Sequence, residues 1–146
     1  MIVYIDASTL VKRYVAERES EAVIELTAKA DIVATSVVSR AELAAALARA
    51  ARLGALDHDG ARQAQRRFSR EWPDFARVPV TEALVARAER LAWDYELRGY
   101  DAVQLAAGLM WQESIGEDVL LATFDRQLWG AATRAGLQVW PQKLGK

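Results

Sequence analysis

The chain has 146 residues, 52% of them hydrophobic, with 19 Lys and Arg against 20 Asp and Glu for a formal net charge of -1. That length and apolar content suit one compact domain over 1–146 with a real core, and the charge balance excludes the overall basic footprint of proteins that hold nucleic acid by bulk electrostatics. The absence of cysteine removes disulfides, thiolate nucleophiles and zinc–thiolate centres.

The first element is a short β-branched run, IVYI at 2–5, followed at once by Asp6. It is too short for a secretion signal, and no window approaches the roughly 18 apolar residues of a membrane span, so a soluble cytoplasmic protein is expected. Helical patterns at 9–17 and 20–30 lead to a second strand, DIVAT at 31–35. The pattern SRAELAAALARAARLG predicts a helix from Ser39 that ends at Gly54, a natural residue for a left-handed helix stop. A polar helix over 60–72 precedes the third strand, ARVPV at 76–80.

A long helix is predicted from Thr81 to Gly99, with a second, apolar nearly all round and therefore buried, over 101–116. A fourth strand, DVLLAT at 118–123, a helix over 125–136 and a fifth strand, LQVW at 137–140, complete the series. Strands that alternate with helices and read as continuous apolar runs imply an α/β fold, a central, mainly parallel five-stranded sheet with helices on both faces.

In open parallel sheets, ligands bind beyond the carboxyl ends of the strands, near the point where strand order reverses. Asp6 follows the first strand and Asp125 the fourth, while Glu42 lies in the first turn of the helix after the second. Asp101 heads the most apolar helix. Each acid has a local explanation. Ser39 and Glu42 have capping-box spacing, Asp101 and Gln104 a looser version of it, and Asp6 and Asp125 suit helix N-termini.

Together, however, converging carboxylates repel one another unless a cation sits among them, and hard divalent ions such as Mg²⁺ or Mn²⁺ prefer such oxygen ligands. Ser8 and Thr123, each two residues from an aspartate, are placed to bond these carboxylates or a bound water, or else to cap locally. The one histidine, His58, is expected in a polar loop, so a Ser-His-Asp triad lacks support. An aspartyl-nucleophile phosphatase would want an acid where Ser8 stands, a receiver domain would want an aspartate ending the third strand, and no glycine-rich phosphate loop is present.

The four segments YIDAS, SRAEL, LRGYDAVQLAAG and TFDRQL, in this order, resemble the PIN-domain family, most closely the VapC-type toxins of toxin–antitoxin pairs. The resemblance covers essentially the whole chain. It implies a three-layer α/β/α PIN-like fold and an Mg²⁺-dependent, or Mn²⁺-dependent, ribonuclease. It matches Asp6, Glu42, Asp101 and Asp125 to the family's acids, with Ser8 as polar helper. It also implies a homodimer and a VapB-like antitoxin whose C-terminal segment lies across the active-site groove. A PIN nuclease outside any such pair and a silent PIN-like binding module are the alternatives.

For RNA phosphates, Lys12, Arg13, Arg66 and Arg67, with Arg62 and Arg70, offer candidate contacts, though a solvated helix face is the simpler explanation of the latter four. Arg98 reads as a charge closing the preceding helix.

Overall fold

The computed structural model describes residues 1–145; the predicted domain runs one residue further, to Lys146, which lies outside the described residues. Among the described residues one sheet forms from β1 (Ile2–Ile5), β2 (Ile32–Ser36), β3 (Ala76–Val78), β4 (Leu120–Ala122) and β5 (Gln138–Trp140). Its order is β3-β2-β1-β4-β5, and every pairing is parallel. Strand order therefore reverses beside β1, whose neighbour β4 is reached only after β2 and β3. The carboxyl ends of β1 and β4 meet at this switch point.

The period of two in β1 divides the core. Val3 and Ile5 face one layer and Tyr4 the other, all fully buried. The Val3 side is covered by α1 (Ala7–Tyr14), α2 (Ser20–Lys29), α3 (Val38–Arg52) and α4 (His58–Glu71), which contribute Leu10, Leu26, Leu43 and Phe68. The Tyr4 side is covered by α5 (Glu82–Tyr95), α6 (Gly99–Ile115) and α7 (Arg126–Arg134), through Leu84, Leu105 and Leu128. The expected three-layer α/β/α architecture is present.

As its composition foretells, α6 is buried without a break from Asp101 to Leu109 except at Val103. It can lie so close to the sheet because Gly108 faces Leu121, where an added Cβ would come within 3.2 Å of a methyl group.

Several boundaries differ from expectation for identifiable reasons. β3 stops at Val78 because Pro79 lacks the N–H the ladder needs. α5 ends at Tyr95 rather than Gly99, since Glu96 takes the left-handed conformation at φ 54° and closes it. Gly99 instead opens α6, with Arg98 as the preceding cap residue. Arg98 thus does not close a helix; it stands at the start of one, where a cation gains nothing from the dipole. His58 is the first residue of α4 rather than a loop residue, and it is exposed there. No helix among the described residues is long and apolar enough to cross a membrane.

Candidate active site

Asp6 caps α1, its Oδ1 accepting from the backbone N–H of Thr9 at 3.0 Å. The same carboxylate accepts from Ser8 Oγ, 2.8 and 2.9 Å from its two oxygens, and from Thr123 Oγ1 at 2.6 Å. Ser8 Oγ in turn accepts from the Phe124 N–H at 3.0 Å, and Thr123 Oγ1 from the Asp125 N–H at 3.1 Å. These bonds stitch the end of β1 to the end of β4. Asp6 is only 4% exposed, and burial pushes its carboxyl above the usual carboxylate range, although the bonds from Thr123, Ser8 and Thr9 oppose the shift.

Asp125 repeats the design at the next strand end. It caps α7 with Oδ1 on the Leu128 N–H at 2.9 Å, which leaves Oδ2 for other partners. Both aspartates are therefore caps and members of a polar cluster at once; one oxygen of each serves the helix.

Asp101 and Glu42 belong to the cluster without capping anything. Asp101 is the third residue of α6, buried, and held by Arg98 Nε at 2.9 Å. Burial and the facing Asp125 raise its carboxyl, against the pull of Arg98. Glu42 accepts from Gln104 Nε2 at 3.0 Å. Its carboxyl is raised by burial first, relieved by Gln104, and raised again by Asp6 and Asp101. The expected capping box is absent, because α3 starts at Val38 and Ser39 turns into the core. There Ser39 Oγ accepts from Gln104 at 2.9 Å and meets Thr35 Oγ1 at 2.8 Å.

Gln104 is the hub of this part of the site. Fully buried, it accepts from Tyr4 OH at 2.5 Å and donates to both Ser39 and Glu42. Tyr4 stays a phenol donor because burial and the facing Asp6 and Glu42 hold its proton. Spacing placed Gln104 in a loose box with Asp101; the signal for its real role was a lone amide within an otherwise apolar helix. Arg98 was missed for a similar reason. Its guanidinium forks, Nε to Asp101 Oδ2 and Nη2 to Asp125 Oδ2, each at 2.9 Å.

The candidate basic residues scatter. Lys12 Nζ lies 4.7 Å from the centre of the Phe124 ring and donates to the carbonyl of Arg18 at 2.8 Å. Arg13 is committed to Thr27 and Glu71 beside the starting ends of β2 and β3, the opposite edge of the sheet, and Arg67 bonds the carbonyl of Arg13 there. Arg66 is exposed on α4. Arg126, which sequence reading passed over, shares with Arg98 the groove beside Asp125.

Among the described residues, no three acidic side chains stand close enough to share one ion as they are placed. The donors nevertheless suit a hard divalent cation. They are carboxylate and hydroxyl oxygens, and Asp6, Glu42 and Asp101 are all held above their usual range by burial, a penalty that a nearby positive charge removes.

The PIN domain family model matches residues 3–132. The chain belongs to the PIN-domain family. Ribonuclease VapC45 of Mycobacterium tuberculosis (strain CDC 1551 / Oshkosh) is 34% identical over 148 residues, covering 98% of this chain and 97% of that relative. The structure of M. tuberculosis VapC20, a sarcin-ricin loop cleaving toxin, matches with a TM-score of 0.67 at 19% identity, covering 92% of this chain and 95% of that one. A toxin–antitoxin complex from Klebsiella pneumoniae matches at 0.63 and 17% identity, covering 98% and 99%. The two structural likenesses bear on the fold.

The raised carboxyls give this PIN domain a distinctive pH response. A carboxyl whose pKa rises on folding holds its proton more tightly in the folded chain, so stability falls as pH climbs from about 4 through the raised values. Glu25, Asp31 and Glu113, lowered by their cationic partners, act in the opposite sense and lose their contribution as pH falls below about 4. Glu42→Gln keeps an oxygen for Gln104 and removes the charge facing Asp6 and Asp101. In EDTA, its melting temperature at pH 7.5 is expected to exceed that of the parent by about 2–4 °C, with the gain vanishing near pH 4. Scanning calorimetry at the two pH values checks this; an equal difference at both would show that charge is not the cause.

Proposed function

We infer that this chain is a VapC-type ribonuclease, the toxin of a toxin–antitoxin pair, which hydrolyses RNA phosphodiester bonds with Mg²⁺, or Mn²⁺, as cofactor. The observation that carries this reading is the gathering of Asp6, Glu42, Asp101 and Asp125 at the switch point, where Ser8, Thr123, Gln104 and Arg98 orient the carboxylates. Asp6 and Asp101, the most buried of the four, are the residues that hold the metal directly, with Asp125 and Glu42 acting directly or through water. The bound ion supplies a water of lowered pKa and neutralises phosphate charge.

The chain's own groups prepare that chemistry. Ser8 and Thr123 fix both oxygens of Asp6 before anything binds, so no reorganisation is needed there. Gln104 fixes Glu42 in the same way. No histidine takes part, since His58 stands apart on α4. Lys12, Arg98 and Arg126, around Phe124 and Asp125, are the cations best placed to meet phosphates flanking the scissile bond. Arg13, Arg66 and Arg67 would touch only a longer RNA, because Arg13 and Arg67 lie at the far edge of the sheet.

In a cytoplasmic setting the chain works as a homodimer under a VapB-like antitoxin laid across the groove of acids. Exposed apolar side chains on α5 and at the start of α6, Val85, Trp93 and Tyr100, provide contact surface suited to such partners.

The test is cleavage of a structured RNA by the purified protein. Strand scission with Mg²⁺ or Mn²⁺ that stops on adding EDTA is the expected result. Scission that persists in excess chelator would remove the metal from the reading.

A further inference from the structure

We propose that Arg98 is a resident counter-ion of the site, which bridges Asp101 and Asp125 in the metal-free protein and must give up those oxygens for a divalent cation to bind. This rests on the metal reading above and adds to it a built-in competitor.

The geometry is specific. Asp125 has one oxygen committed to the α7 cap, so Oδ2 is the oxygen it can offer elsewhere, and Arg98 Nη2 occupies it. Among the described residues Asp101 has no side-chain hydrogen-bond partner besides Arg98, whose Nε takes its Oδ2. One planar fork thus bridges two acids at the starts of different helices, a task that a point charge such as lysine performs less well. The Arg98 side chain is 53% exposed while that of Asp101 is 6% exposed. The acid is fixed and the cation is the party free to leave, into the groove lined by Phe124, Asp125, Arg126 and Gln127.

A merely structural bridge and a competitor make opposite predictions for metal affinity. If Arg98 only shaped the site, removing it would let Asp101 and Asp125 drift and would weaken metal binding. If it competes, removing it frees both oxygens and tightens binding.

The experiment is titration calorimetry of Mn²⁺ into chelator-treated wild type, Arg98→Gln, Arg98→Lys and Asp6→Asn, with melting temperatures in EDTA. Arg98→Gln is expected to bind Mn²⁺ about three- to tenfold more tightly, the range that two half-exposed ion pairs can contribute. It is also expected to melt a few degrees lower without metal. Arg98→Lys should fall between in both measurements and provides the comparison if the glutamine variant does not fold. Equal or weaker Mn²⁺ binding by the folded Arg98 variants, with normal binding by wild type, overturns this proposal alone. If wild type binds no Mn²⁺, or Asp6→Asn binds it equally well, the metal reading falls and this inference falls with it.

Discussion

Replacing Asp6 with Asn is expected to lower RNA cleavage by about a hundredfold or more while α1 stays folded. Asparagine caps a helix as well as aspartate does, so the bond to the Thr9 N–H survives. What the amide cannot do is attract a cation or accept at both oxygens from Ser8 and Thr123, since one of those oxygens becomes an NH₂ donor. The substitution therefore separates two duties that one carboxylate performs. Cleavage rates and circular dichroism on the same preparation provide the measurement. A fully active, folded variant would leave Asp6 as a helix cap and nothing more.

Gln104→Leu is expected to be the most destabilising single change within the site. Leucine is of similar size, so the loss is of bonding rather than volume. Tyr4 OH, buried with the sheet, loses the Gln104 oxygen that accepts from it and has only the neighbouring Ser36 to turn to, and Glu42 loses the donor that offsets its burial. An unsatisfied buried polar group costs about 1–3 kcal/mol, which in a chain of this size lowers the melting temperature by several degrees. Urea unfolding should show a lower midpoint at unchanged slope, and cleavage should fall as well because Glu42 is no longer held. An unchanged midpoint would mean that Tyr4 and Glu42 find other partners readily.

Much of this molecule could be read from its residues. The β-branched runs identified the strands, the turn chemistry of Thr81 and Gly54 identified helix ends, and the even apolarity of α6 foretold its burial. The position of Asp6 and Asp125 just past two strands placed them at one sheet edge, with Ser8 and Thr123 beside them. What spacing alone misrepresented was direction. Ser39 and Glu42 have the separation of a capping box, yet once Val38 starts the helix, Ser39 points to Thr35 and Gln104 instead. Arg98 looked like the end of one helix because nothing local reveals that Glu96 will close it early. The partners that give these residues their roles in the site, Gln104 for Ser39 and Asp125 for Arg98, lie 65 and 27 positions along the chain, where local pattern carries no information.

That distance has a kinetic consequence. Asp6 and its donor Thr123 are 117 positions apart, and Glu42 and its donor Gln104 are 62 apart. Contacts so remote in sequence form late, because the entropy of closing the intervening chain must be overcome before they return any stabilisation. A ribosome-bound or truncated chain lacking β4 has no Thr123 to grip Asp6 and no Asp125 at all. The polar cluster is consequently a product of finished folding: no half of the chain can assemble it, and any opening that parts β1 from β4 dismantles it.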